Sequence, residues 1–225
     1  DFAYIAQGTG ANIYTWTGAS NTTTFALHDS EAAIALAVDT DKMWFLSRRT
    51  GGANNGYIVR TTHDGGATPT LGGDFVITEL ANPAVDMTMF DDRLFVGTER
   101  GLFAPSESSM EGLDFRSEYL TPAFAYQRNA NNTLGMTPWF EWLITPMAGS
   151  LFRYSTDGSF PEFGLGSLPD NISEVQGVPT AICGYRNWTL FVAFYSAIQD
   201  ASYLMRWGDW QWRNTQNGPQ RTFVP

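Results

Sequence analysis

Apolar residues recur along the chain in short runs of Val, Ile, Leu, Phe, Tyr and Trp, broken by Gly, Asn, Asp or Pro. Such runs predict many short antiparallel strands joined by turns, because alternation and β-branched or aromatic side chains favour a pleated, half-buried surface. The runs come in pairs. Tyr4–Ala6 leads to Ile13–Trp16, Met43–Leu46 to Tyr57–Arg60, and Arg93–Gly97 to Gly101–Ala104. Trp142–Thr145 leads to Leu151–Arg153, and Leu190–Phe194 to Tyr203–Arg206. Helical periodicity is nearly absent. Ser30–Val38 reads as a short helix, although its apolar run feeds into a turn at Asp39–Asp41 and then a strand.

Aligning the second run of each pair matches Tyr14, Ile58, Leu102, Phe152 and Leu204 at steps of 44, 44, 50 and 52 residues. A four-strand unit recurring at that interval is a sequence signature of propeller blades. The fold expected is an all-β propeller of about five four-stranded blades, forming a single domain over residues 1–225 that could belong to a longer chain. Arg221–Val224 is expected to pair with the N-terminal strand and so close the ring, which would remove exposed sheet edges. The competing all-β arrangement is a β-sandwich.

The chain has 225 residues, a net charge of −10 and a single cysteine. A nucleic-acid binder neutralises phosphates with Lys and Arg, and an electrostatic membrane binder uses basic clusters, so neither class is expected. The longest apolar stretch, Ala32–Val38, is too short to span a bilayer. Cys183 excludes an intrachain disulfide and a multi-cysteine metal site, and its neighbours Ala181 and Ile182 predict a small buried residue. Lys42 is the only lysine against twelve arginines, a bias compatible with a GC-rich genome.

Thr62-His63-Asp64-Gly65-Gly66-Ala67-Thr68 follows one of the strands. Its Asp can accept backbone N–H groups and its Gly can adopt positive φ. Thr62, Asp64, Gly66 and Thr68 closely resemble the Asp-box, Ser/Thr-x-Asp-x-Gly-x-Thr-Trp/Phe, of sialidase-like propellers, with Pro69 in place of the aromatic plug. Ser155-Thr156-Asp157-Gly158-Ser159 resembles a weaker copy, built on Ser155 and Asp157. The resemblance implies a propeller and a turn that serves folding. More loosely, Phe90-Asp91-Asp92-Arg93-Leu94-Phe95-Val96-Gly97, with Leu102, Phe103 and Phe115, looks like a pattern in propeller domains of tailed-bacteriophage tail proteins.

Catalytic signatures are missing. The usual Phe/Tyr-Arg-Ile-Pro motif of sialidases does not occur, and Arg60, Arg153 and Arg206 end equivalent strands rather than forming an obvious anion clamp. The carboxylates considered for glycoside hydrolysis are Asp39, Asp86, Glu141 and Glu174, each more simply a turn or channel-lining residue. His28 and His63 accompany no nucleophile turn. Asp39-Thr40-Asp41 and Asp91-Asp92 lack the remaining ligands of a calcium loop. Gly8-Thr9-Gly10 precedes a strand and thus offers no helix N-terminus to a phosphate. No enzyme activity, cofactor or metal is expected.

Aromatic clusters remain. Trp207, Trp210 and Trp212, beside Arg213, form one group, and Trp139, Phe140 and Trp142 another. Both fit packing between blades or contact with protein or sugar. The polar connection Gln127–Pro138 carries Asn129 and Asn131, and Asn129–Thr133 is expected to be an exposed contact loop. The reading is a non-enzymatic structural or recognition protein, most specifically a virion component of a phage tail. Its partners would be other protein subunits of an assembly, or a cell-surface glycan, without nucleic acid or membrane insertion. The localisation expected is virion or extracellular. The alternatives are a lectin-type carbohydrate-binding propeller and, behind it, a glycoside hydrolase.

Overall fold

The computed structural model describes residues 3–6, 12–16, 18–19, 21–26, 31–38, 43–51, 55–61, 75–78, 83–105, 117–119, 130, 132–147, 150–155, 178–185, 189–196, 200–211 and 220–224. Every regular element among them is a strand. The strands form small antiparallel sheets, each built from consecutive strands, as propeller blades are. The chain divides into two compact units, Asp1–Pro122 and Ala123–Pro225.

The first unit holds three sheets. The first joins β1 (Ala3–Ala6), β2 (Asn12–Trp16) and β3 (Asn21–Ala26). The second runs β4 (Glu31–Val38), β5 (Met43–Arg49), β6 (Gly56–Thr61) and β7 (Phe75–Thr78). The third runs β8 (Ala84–Phe90), β9 (Arg93–Thr98), β10 (Gly101–Pro105) and β11 (Ser117–Tyr119). Trp44, Leu46, Tyr57 and Val59 of the second sheet pack with Met87, Leu94 and Val96 of the third. On the opposite face of the second sheet, Met43, Phe45, Ser47 and Ile58 are also buried. Burial on both faces is why Met43–Leu46 is a continuous apolar run rather than an alternating one.

The second unit holds two sheets. One joins β12 (Thr137–Trp139), β13 (Trp142–Met147) and β14 (Ser150–Ser155). The last joins β15 (Val178–Tyr185), β16 (Thr189–Ser196), β17 (Ala201–Gln211) and β18 (Gln220–Val224). Trp139, Ile144 and Leu151 pack with Leu190, Val192 and Met205 across these sheets.

Several expectations are corrected. Glu31–Val38 is strand β4, so the helical alternative fails: its run lies along β5 in antiparallel register, from Glu31 opposite Arg49 to Val38 opposite Met43. The C-terminal strand β18 pairs with β17, Arg206 opposite Val224 and Gln211 opposite Gln220, a local hairpin with a small loop-closure cost. Among the described residues the first and fourth sheets have three strands rather than four. Cys183 is exposed, because Ile182 turns toward the core and alternation sends Cys183 to the other face.

The repeat phase also shifts. Leu46 lies opposite Val59, Gly97 opposite Leu102, Pro146 opposite Leu151 and Ala193 opposite Leu204. Val59 and Leu151 each face the following sheet, whereas Ile58 and Phe152 lie on the reverse side of their strands. Matching Ile58 and Phe152 with Leu102 and Leu204 therefore mixes faces, the consequence of a one-residue slip at a period of two.

Candidate functional site

The hairpin joining β12 to β13 gathers exposed aromatic surface. Trp139 lies opposite Trp142, so Phe140 and Glu141 alone make the turn. Phe140 has φ of 57°, and the first position of such a turn ordinarily takes glycine when φ is positive. An L-residue in this region costs about 1–2 kcal/mol through contact of its Cβ with the backbone. The third sheet turns at the corresponding place with Asp91 and Asp92, φ of 50° and 55°, residues that tolerate it far better.

The rings around the turn interlock. Trp139 meets Phe140 edge-on, with centroids 5.1 Å apart and planes at 88°. Trp142 completes the triangle, 6.0 Å from Trp139 and 6.5 Å from Phe140. Trp139 is buried and anchors the group in the core of this unit, while Phe140 is 46% exposed. The Arg153 guanidinium lies 4.6 Å from the Trp142 ring centre, a cation–π arrangement that fixes the indole face. Glu141 and Pro138 are exposed beside the rings. The result is a rigid aromatic tip with one carboxylate and one guanidinium at its margin. It can stack on an apolar or sugar face and exchange hydrogen bonds around it.

Gly184 makes room for this group. A Cβ there would lie 3.0 Å from Trp139 Cδ1 and 3.4 Å from the Pro138 carbonyl oxygen.

The approach to β12 is more buried than expected. Asn132 and Thr133 are buried, and the Thr133 N–H donates to the Pro146 carbonyl at 2.6 Å. The exposed loop expected over Asn129–Thr133 therefore does not extend to its last two residues, which a backbone hydrogen bond holds against β13. Asn129 and Asn131 lie outside the described residues, as do Trp212 and Arg213. Trp207 and Trp210 belong to β17, opposite Phe223 and Arg221 of β18. Of the Asp-box turns, Thr62, Asp64, Gly66, Thr68 and Asp157 lie outside the described residues, and Ser155 ends β14 half-buried.

Asp86 lies in β8 and accepts the Met87 N–H at 2.8 Å, and Glu141 is at the hairpin tip. Asp39, Glu174, His28 and His63 fall outside the described residues. No group of three or more His, Cys, Asp or Glu that could hold a metal ion occurs among the described residues.

A buried polar cluster that sequence reading missed lies in the second sheet. The Glu31 carboxylate accepts a hydrogen bond from Ser47 Oγ and an ion-paired one from Arg49, the latter at 3.0 Å. Its signal would have been the register, which sets Glu31 opposite Arg49 at the end of the β4–β5 pair.

No family model matches the chain, and no curated protein matches it. Its fold is similar to that of the extracellular domain of a hybrid two component system from B. thetaiotaomicron, at a TM-score of 0.59 and 16% identity. That match covers 99% of this chain but only 26% of the other, so the chain spans about a quarter of that protein's length. An exo-beta-1,3-galactanase from Phanerochaete chrysosporium aligns at a TM-score of 0.47 and 11% identity, covering 97% of this chain and 58% of its own. A GH43 endo-arabinanase from Bacillus licheniformis aligns at 0.35 and 16%, covering 97% and 71%. The first carries the fold: a propeller-like all-β chain, with no helix among the described residues long and apolar enough to cross a membrane.

Proposed function

We propose that the chain is a non-enzymatic recognition module, a single propeller domain of five blades. The aromatic hairpin would anchor a neighbouring protein subunit in an extracellular assembly, and specifically in the tail of a bacteriophage. One observation carries the contact reading: Phe140 stands 46% exposed in a backbone conformation that disfavours it. Strained, solvent-facing residues persist where function retains them, and aromatic anchors dominate protein contacts. The placement in an assembly is supported by the phage-tail resemblance of Phe90–Gly97 and by the fold shared with an extracellular domain.

A second reading has its own observation. Glu141 follows the exposed Phe140 in the turn and Arg153 lies over the neighbouring Trp142 ring, aromatic surface with polar groups close by, which suits a saccharide.

The experiment is native mass spectrometry of the complex isolated from the source, alongside a glycan array with the wild type and Phe140→Ala. Fixed stoichiometry with another protein, lost in Phe140→Ala, and a silent array support the subunit contact. Glycan binding lost in Phe140→Ala transfers the site to the lectin reading. Hydrolysis of aryl-glycosides abolished by Asp86→Asn or Glu141→Gln would overturn both.

A further inference from the structure

Two half-buried arginines are compensated differently. Arg49 has the Glu31 carboxylate at 3.0 Å. The guanidinium of Arg153 lies over the Trp142 ring, 4.6 Å from its centre. Among the described residues no carboxylate pairs with it and no acceptor hydrogen-bonds to it. Carboxylates are not in short supply, since the chain has 23 acidic residues against 13 lysines and arginines. Glu141, beside Trp142 in sequence, is exposed in the turn and does not pair with Arg153.

The strand register explains this setting. Arg153 lies opposite Ile144 of β13. Leu151, two residues earlier on the same face, is buried in the core of this unit, and Ser155, two residues later, lies opposite Trp142. Arg153 thus sits where the core gives way to the aromatic hairpin. Trp142 is its neighbour and also that of Phe140, whose ring centre is 6.5 Å from the Trp142 ring centre. A half-buried cation has lost part of its hydration, and an aromatic face offsets only some of that loss. The N–H donors of a guanidinium lie in its plane and match a carboxylate two at a time. The indole restrains Arg153, and the acceptor that its donors fit is not supplied among the described residues.

We infer that Arg153 is the charged half of the docking surface whose apolar half is Phe140, and that the neighbouring subunit brings an Asp or Glu carboxylate to it. The inference rests on the subunit contact proposed above and adds the chemistry of the partner: an apolar recess for the Phe140 ring with one acidic side chain at its border. A broadly acidic partner surface does not fit, because a chain of net charge −10 repels it. The acidic group is therefore isolated, and its role is to fix orientation and slow dissociation once the ring is seated.

The near absence of lysine makes a selective test possible, because Lys42 is the only one. A tagged chain carrying Lys42→Arg and Arg153→Lys has a single lysine, at position 153. The complex it forms in the source is isolated and treated with a carbodiimide, which joins an amine directly to a carboxylate in contact with it, and peptide mass spectrometry locates the new amide bond. The expected bond runs from position 153 to an Asp or Glu of the other subunit. In parallel, Arg153→Gln should speed dissociation of the complex about tenfold or more, and Arg153→Lys should speed it less, keeping the charge without the planar fork. Circular dichroism matching the wild type separates lost docking from lost folding, and where Arg153→Gln fails that check the dissociation rate of Arg153→Lys decides. A complex in which position 153 couples only within its own chain, or not at all, overturns the inference and leaves the subunit contact standing. A wild-type dissociation rate in the folded variants does the same. If the wild-type chain forms no complex, the subunit contact fails and the inference with it. A glycan array that binds a uronate oligosaccharide but not its carboxyl-reduced form, with the preference lost in Arg153→Gln, also overturns it and assigns Arg153 to a saccharide carboxylate.

Discussion

Phe140 and Asp91 occupy the same turn position in neighbouring repeats, with φ of 57° and 50°, although one is a bulky aromatic and the other a residue suited to the left-handed region. The comparison isolates what Phe140 costs. Phe140→Gly should relieve about 1–2 kcal/mol of backbone strain and remove a ring pairing worth about 0.5–1.5 kcal/mol. Urea unfolding should therefore show a midpoint level with or above the wild type, while partner binding is lost. A stability loss beyond about 2 kcal/mol, the scale of a core truncation, would mark Phe140 as a packing residue and remove the basis of the contact reading.

Gly184 and Trp139 make the converse case, in which close approach is structural. The added Cβ of Gly184→Ala would press on Trp139 Cδ1 at 3.0 Å and on the Pro138 carbonyl oxygen at 3.4 Å. Trp139 is buried and packs with Leu190, Val192 and Met205, so its ring has little room to retreat. Overpacking of this kind costs about 1–3 kcal/mol. Thermal melting should register that loss, with a change in the near-ultraviolet Trp dichroism as the indole shifts.

Strand positions are legible in the sequence because alternating and continuous apolar runs report burial directly. Met43–Leu46 and Leu190–Phe194 fall within strands β5 and β16. The phase of the repeat is not legible, since Ile58 and Val59 are equally apolar and only pairing with Ser47 and Leu46 assigns each to a face. The burial expected of Cys183 fails for a related reason: apolar neighbours argue burial, but alternation beside Ile182 places it on the face away from that core, where it is exposed. Trp139, Phe140 and Trp142 are visible as a group, yet their register and the strain at Phe140 depend on the length of the turn. Glu31 carries no local signal, because its partner Arg49 is supplied by register from the next strand.

Tyr195 donates a 2.6 Å hydrogen bond to Asp200 Oδ1 across the β16–β17 connection. That bond favours the protonated phenol, and a smaller contribution from burial adds to it, so Tyr195 titrates above the ordinary tyrosine value of 10.0. Below that value the phenol is protonated in both folded and unfolded chains, and its contribution to stability is complete. As pH rises past it the unfolded chain ionises first, and the contribution disappears as pH passes through the folded value. The difference in ultraviolet titration between wild type and Tyr195→Phe should isolate this late-ionising phenol. Asp200→Asn should return it toward 10.0 while keeping a residue that accepts positive φ at position 200.

The buried carboxylate of Glu31 gives the sharpest energetic test, because Ser47 and Arg49 bind it in different ways. Ser47 contributes a neutral hydrogen-bond donor and Arg49 a formal charge, with the Arg49 side chain 12% exposed and that of Glu31 fully buried. Removing the charge partner in Arg49→Ala leaves an ionised carboxylate within the sheet, a loss of about 3–5 kcal/mol. Ser47→Ala removes one hydrogen bond from that same carboxylate and should cost less, about 1.5–3 kcal/mol. Replacing both charges with apolar groups of similar volume, Glu31→Met with Arg49→Leu, removes the desolvation penalty as well as the attraction. The double variant should recover most of what Arg49→Ala loses. Urea denaturation of the three variants checks the order. If the double variant is as unstable as Arg49→Ala, the ion pair is required by the packing of β4 on β5, and a simple exchange of charge for apolar volume is ruled out.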